Sequence, residues 1–439
     1  MNQKDLAIVR GLASQVAEIA ALPVQQETIS LWKALNDLKP VRPMVQIDGI
    51  PWHELNVNDE LTLQAEDPFL RGVENVLRRI LYQWNHFRVD MVVDPVMVMP
   101  KVMRMEGFGI RIHETTEAVD PGNDVVSHEF HDQVQTDEDI DKIHTPEVVF
   151  DAEATAMVEA RSHEIFDGIM PVRMQGWLPE AQQWPGLAAE PGTNPLVTGM
   201  YPDTAGNVAW ALWDQIVYWR GAENVLYDVA TRPEFIHRLL TRLTETHLEW
   251  LDDLEARGLI GHSQSKIRST GAYTDELPAP GFDPDHVRPK DIWTSAMAQI
   301  LTAVSPAMFK EFEVDYVSRW CERFGLVYFG CCEALDRKMD YVRMVPNVRK
   351  VSITQLADVE RGAAEIGRDF VFSRKPNPAL IAGDSWHPDV VEADLQDTLD
   401  RTKAHGCPVE LIFKGVSTVR GKPERLWEWA DIAMRLALQ

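Results

Sequence analysis

Leu326-Val327-Tyr328-Phe329, Val348-Arg349-Lys350-Val351-Ser352-Ile353, Asp369-Phe370-Val371-Phe372-Ser373 and Val409-Glu410-Leu411-Ile412-Phe413 are four short, largely apolar runs. Helical patterns separate and follow them, at Asp336 to Val345, Val359 to Ile366, Pro388 to His405 and Pro423 to Leu438. Near-continuous apolar strands suit burial on both faces, and strand-helix repetition predicts a parallel sheet with right-handed crossovers. A closed barrel and an open doubly wound sheet share this pattern. No Gly-x-Gly-x-x-Gly or Gly-x4-Gly-Lys-[Ser/Thr] follows any of the strands, which removes the usual mark of a nucleotide fold and favours the barrel. The expected fold is a single (β/α)8 TIM barrel over 41–439, with an N-terminal helical extension over 1–40 and loop insertions. Chemistry is expected at the C-terminal ends of its strands.

Working outward, Leu6 to Ala20 is helical by its three- and four-residue spacing, Pro23 ends that helix, and a second helix runs from Glu27 to Leu38. Met44 to Ile47 is a strand, Leu70 to His86 a helix, and Val89-Asp90-Met91-Val92-Val93 a buried strand ending at Asp94. Residues 113–150 form a polar, acidic surface insertion, Ile169 to Met174 a strand, and 175–208 a loop. Helices are predicted at Ala209 to Trp219, Ala222 to Ala230 and Glu234 to Arg257, the last stopped by Gly258. Strand starts follow at Leu259-Ile260-Gly261 and Ile292-Trp293, with a loop over 263–289 between them. Ser305-Pro306 opens a helix to about Phe324.

The 439 residues carry 43 Lys+Arg against 68 Asp+Glu, a net charge of −25, which excludes a generic nucleic-acid binder. Four cysteines, two of them adjacent, do not make a disulfide framework. No leader-like N-terminus and no run of about 18 apolar residues is present, so a soluble, cytoplasmic protein with no membrane partner is expected.

Gly330-Cys331-Cys332-Glu333 directly follows a strand. Two thiolates and a carboxylate there point to Zn²⁺ with an open position, with Cys331, Cys332 and Glu333 as ligands; the alternative is a core-packed cysteine and a helix-opening Glu333. Lys375 and Asn377 lie in a turn fixed by Pro376 and Pro378, where Lys375 is available to an anion or as a general acid and Asn377 to a substrate. Lys414 ends the last strand. His53 follows the first strand beside Trp52, and Tyr273 and Trp293 are candidates for an aromatic-lined pocket. His128 and His131, at i, i+3, were they helical, would share a face but lack the His-Glu-x-x-His spacing.

Several segments together carry a resemblance: Arg42-Pro43-Met44-Val45, Trp219-Arg220-Gly221-Ala222-Glu223-Asn224-Val225-Leu226-Tyr227-Asp228, Arg232-Pro233-Glu234-Phe235, the helix opened by Ser305-Pro306, and Gly330-Cys331-Cys332-Glu333. Over residues 40–438 the chain resembles the uroporphyrinogen decarboxylase superfamily, within it the branch of corrinoid-protein methyltransferases. The resemblance implies one (β/α)8 barrel with its cleft at the strand C-termini, and a homodimer, since such barrels commonly pair. The decarboxylases bind a many-carboxylate substrate with arginines after the first strand; here Asp48 to Glu54 contains none, which disfavours a porphyrinogen. The zinc-using methyltransferases often place His-x-Cys after the corresponding strand, whereas here the histidine's place holds Phe329 or Gly330. Cys407 precedes its strand and falls at the other end of the barrel.

The leading expectation is a methyltransferase component that takes a methyl group from a small donor, a methoxylated aromatic or a methylamine-like compound, to the corrinoid of a partner protein. Cys331, Cys332 and Glu333 would bind zinc or activate the leaving group, with Lys375, Asn377 and Tyr273 orienting the substrate, and His53 and Lys414 secondary. A second reading is a metal-independent decarboxylase or lyase using Asp94. A third is a non-catalytic barrel subunit of an assembly, with the 113–150 insertion as its contact face.

Overall fold

The computed structural model describes residues 3–105, 107–117, 127–179, 210–262 and 264–439. Most of the segment read as a loop over 175–208 therefore lies outside the described residues. Ten strands bear on the site: β1 (Met44–Ile47), β2 (Met97–Pro100), β3 (Val172–Gln175), β4 (Lys266–Ile267), β5 (Thr270–Gly271), β6 (Trp293–Ala296), β7 (Leu326–Phe329), β8 (Val348–Ile353), β9 (Val371–Arg374) and β10 (Val409–Phe413). Six form one parallel sheet in the order β1-β10-β9-β8-β7-β6. Every residue of β1, β6, β7, β9 and β10 is buried, as the apolar runs require.

Further parallel pieces flank this sheet. Trp210 bridges Ala296 beyond β6, β2 pairs with β3, and Trp177 bridges Ile260. At the other edge the Asp90 amide donates to the Val45 carbonyl at 3.1 Å. Ladder pairing among the described residues does not join these pieces into a closed barrel; the architecture is a mixed α/β protein built on a six-stranded parallel sheet.

The sheet is curved enough that side chains from non-adjacent strands meet over its inner face. Lys350 of β8 donates to Glu410 of β10 at 2.8 Å across the intervening β9, and to Thr270 of β5 at 3.1 Å. Its ammonium lies 5.3 Å from the Trp32 ring and 5.9 Å from the Trp293 ring. Tyr328 of β7 likewise reaches Ser373 of β9, 2.7 Å from hydroxyl to hydroxyl. Layers built from alternate strands are the packing expected inside a barrel.

The N-terminal residues form α1 (Gln3–Ala20) and α2 (Pro23–Asn36), and Pro23 opens the second helix rather than only closing the first. Trp32 of α2 packs on Met44 and Val371, the first residues of their strands, and its indole donates to the Asp90 carbonyl at 2.9 Å. A Cβ on Gly271 would lie 2.6 Å from the Trp32 ring, so only glycine admits this contact. The helical extension thus seals the strand-start side of the sheet. No single helix among the described residues is long and apolar enough to cross a membrane; α1 and α2 meet both conditions only as a pair, across a 61° bend.

Four expectations are corrected. Val89 to Val93 is not a strand: Val89 sits at φ +41°, and the Val93 amide is satisfied by the Gln25 side chain at 3.0 Å, so Met91 and Val93 are buried without a ladder. Asp94 therefore precedes β2 instead of ending a strand. Trp210 is a bridge residue beside Ala296, and the helix begins only at Leu212. His128 lies on a strand, Ser127–Phe130, paired with Glu114–Glu117, so it shares no helical face with His131. His128 meets Glu114 at 2.7 Å and His131 meets Thr115 at 2.8 Å. The segment 263–289 is not plain loop, since it holds the β4–β5 hairpin.

Candidate functional site

Cys331 and Cys332 leave β7 through Gly330, whose φ of +95° turns the chain sharply. A Cβ there would lie 2.7 Å from Leu335 Cδ1, so glycine is required on both counts. Glu333 holds the turn from within. It is fully buried, and its two carboxylate oxygens accept the Cys331 amide at 2.7 Å and the Ala298 amide at 3.0 Å. Two side chains of β8 and its end fasten the carbonyls: Ser352 donates to Cys331 O at 2.8 Å and Thr354 to Cys332 O at 3.3 Å.

Within this clamp the two sulfurs lie 3.6 Å apart; Cys331 is buried against Ala211 and Met297, and Cys332 is exposed. The hydrogen bond from Cys332 lowers the Cys331 thiol pKa, and the charges of Lys375, Arg268 and Lys414 add to this against the cost of burial. The Cys332 thiol is pushed up in return. Lys375, buried after β9, donates to the Cys331 carbonyl at 3.0 Å and lies 5.3 Å from the Tyr328 ring. Burial pulls its pKa down, opposed by the Cys331 charge.

Two residues that sequence reasoning did not single out belong here. Arg268 comes from the tip of the β4–β5 hairpin, where Arg268 and Ser269 both hold the left-handed region at φ +46° and +69°. Such a two-residue turn normally draws on Asn and Gly, so the conformation is held by its surroundings; Arg268 Nη2 reaches Met297 Sδ at 3.2 Å. Asp214, on the helix Leu212–Arg220, accepts from Gln299 at 3.0 Å. Burial, with the negative charges of Glu333 and Cys331, pushes its carboxyl up to about 6. Glu313 lies behind it in a π-helical turn, Lys310–Val314, taking the Trp213 indole at 3.0 Å. Burial and the Glu333 charge raise its pKa well above the usual carboxylate range. A π-turn leaves no mark in hydrophobic spacing, but it often flags a functional site once seen.

The other predicted residues are dispersed. Lys414 follows β10 and faces Asp48, whose amide donates to Phe413 O at 3.0 Å. Burial works against the Asp48 charge, but Lys266, the Gly49 amide and Lys414 hold its carboxyl below the usual range. Asp94 accepts the Tyr273 hydroxyl at 2.9 Å, and burial raises the pKa of both. Asn377 Oδ1 accepts the Ala379 amide at 3.0 Å and so serves the turn. His53 is exposed and its ion partner is Glu54, at 3.7 Å. Trp293 begins β6, buried, its indole donating to Ala272 O at 2.9 Å, and sits with Lys350 on the strand-start side.

The described residues offer zinc no complete ligand set. Among the described residues no group of three His, Cys, Asp or Glu side chains is placed to hold a metal ion, and both Glu333 oxygens already accept amides. Cys407, half-buried, donates to Ala363 O at 3.3 Å just before β10. The Trp219-Arg220-Gly221 segment has a structural explanation: Arg220 binds Asp228 at 2.7 Å and also Asp132, tying the 113–150 insertion to the helices.

No protein-family model matches this chain, and no curated protein matches it. Among solved structures it is similar to a methyltransferase from Methanosarcina mazei, at 11 % identity and a TM-score of 0.48, over 93 % of this chain and 98 % of that one.

Proposed function

We propose that this chain is a (β/α)8 barrel enzyme that transfers a methyl group from a small donor to the corrinoid of a partner protein. The pieces flanking the six-stranded sheet would complete the barrel, and the reaction would occupy the strand C-terminal ends. The observation that carries the reading is the Cys331–Cys332 pair beside Lys375 and Asp214. Demethylation of an ether or amine breaks the bond from methyl carbon to heteroatom, leaves its electron pair on the heteroatom, and requires a proton there. Asp214, with its carboxyl raised to about 6, is matched to donating that proton near neutral pH. Lys375 and Arg268 would steady negative charge as it develops on the leaving group. The corrinoid is the methyl acceptor.

The test is anaerobic incubation with reduced cobalamin and a panel of methoxylated aromatics and methylamines, following the absorbance change from reduced to methylated corrinoid. Turnover that falls about 100-fold or more in Cys331→Ser and in Asp214→Asn supports the reading. Wild-type turnover left intact by both substitutions contradicts it. The second reading, a lyase, is favoured by one observation, the buried Asp94–Tyr273 pair at 2.9 Å. It predicts CO2 release from a carboxylated substrate without corrinoid, lost in Asp94→Asn.

A further inference from the structure

The two adjacent sulfurs suggest a property that does not depend on which reaction the site performs. We infer that Cys331 and Cys332 are an oxidation site, a dithiol that hydrogen peroxide closes reversibly to a disulfide between neighbouring residues.

The geometry is specific. The sulfurs are already 3.6 Å apart, in contact, and need to approach by about 1.5 Å to reach the disulfide length near 2.05 Å. The main chain around them is restrained from both sides, by Glu333 on the Cys331 amide and by Ser352, Thr354 and Lys375 on the two carbonyls, so the sulfurs are kept together. Cys332 is exposed and gives the oxidant entry, while Cys331 is buried beneath it. The remaining cysteines provide a contrast: Cys321 is buried, and Cys407 is half-buried and donates to the Ala363 carbonyl.

The steps balance. The Cys331 sulfur, reached past the exposed Cys332, displaces one oxygen of peroxide and, with a proton from solvent, gives a sulfenic acid and water. The Cys332 sulfur then attacks the Cys331 sulfur; the S–S bond forms, the S–O bond breaks, and the oxygen leaves as a second water with the Cys332 thiol proton. Two thiols lose two electrons and one peroxide gains them. Adjacent Cα atoms lie about 3.8 Å apart, short of the usual disulfide span of roughly 4.4–6.8 Å, so the closed ring is strained and readily reduced. Closure would take the sulfurs from the site and stop its chemistry until a thiol reductant reopens it.

Trypsin releases both residues on one peptide, Phe324 to Arg337, which holds no other cysteine. Full-length protein treated with one equivalent of peroxide, then denatured and alkylated, should yield this peptide about 2 Da lighter and unalkylated. Dithiothreitol should restore both alkylation sites. In Cys332→Ser, dimedone should instead trap a sulfenic acid on Cys331. A wild-type peptide that stays doubly alkylated while Cys407 is oxidised would overturn the inference. So would one that gains oxygen atoms without the internal loss of two hydrogens, or failure of dimedone to label Cys331 in the variant.

Discussion

On the strand-start side of the sheet, Lys350 and Glu410 are both fully buried, yet they meet at 2.8 Å and Thr270, Gly271, Trp32 and Trp293 surround the ammonium. At the strand ends, Cys331, Lys375, Arg268 and Glu333 are buried and Asp214 is half-buried, but their charges are spread over four segments and their pKa values are displaced in different directions. The first region balances its charge within one pair. The second keeps an acid near neutrality and a thiol lowered, and holds them on a backbone that includes Gly330, Arg268 and Ser269 at positive φ. Burial of polar groups is therefore no sign of function by itself; what separates the two regions is whether the buried charges cancel locally.

The largest effect that would sharpen this contrast is at the paired end. Lys350→Met leaves Glu410 buried without its cation and is expected to cost about 3–5 kcal/mol in a denaturant titration. Lys350→Met combined with Glu410→Met should recover most of that loss, because neither charge then remains buried. If the double variant is no more stable than the single, the pair is not a locally cancelled unit.

A smaller, pH-dependent effect is expected at the strand ends. The Asp214 carboxyl, raised from 3.8 to about 6, makes its full contribution to stability below pH 3.8 and loses it as pH rises through about 6. Asp214→Asn should match wild type near pH 4 and exceed it by on the order of 2 kcal/mol at pH 8. A variant equally destabilised at both pH values would show that Asp214 is a packing group instead. Its cost should be read in activity, where the proton donor is lost.

The smallest effect concerns the hairpin. Ser269→Gly relieves a left-handed serine at φ +69° and should stabilise by up to about 1 kcal/mol. If it is neutral or destabilising, the turn carries no strain and Arg268 owes its position to packing alone.

The sheet was legible because β7, β9 and β10, and β8 from Lys350 onward, are buried on both faces and alternate with helices, a pattern written in consecutive residues. Cys331, Cys332, Glu333 and Lys375 were legible for the same reason, as the residues that follow those strands. Lys350 and Glu410 also left a signal, a charge inside each of two apolar strands, which marks an inward residue needing a partner. Arg268 and Asp214 left none, because their places depend on a hairpin in a Gly/Ser/Thr-rich segment and on a helix far away in sequence. The error at Val89 to Val93 has a definite origin: the segment is as apolar as a strand, but its amides are taken by the Val45 carbonyl and the Gln25 side chain.

At the strand ends the hydrogen bond from Cys332, with the charges of Lys375, Arg268 and Lys414, lowers the Cys331 thiol pKa against the cost of burial. This lowering is tested by the rate at which a small haloacetamide modifies Cys331 as a function of pH, read from fragments of the Phe324 to Arg337 peptide, in wild type and in Lys375→Met. The account predicts an inflection well below the value near 8.5 of a free thiol, moving upward when the lysine is removed. An inflection at or above the free-thiol value in both proteins would contradict it.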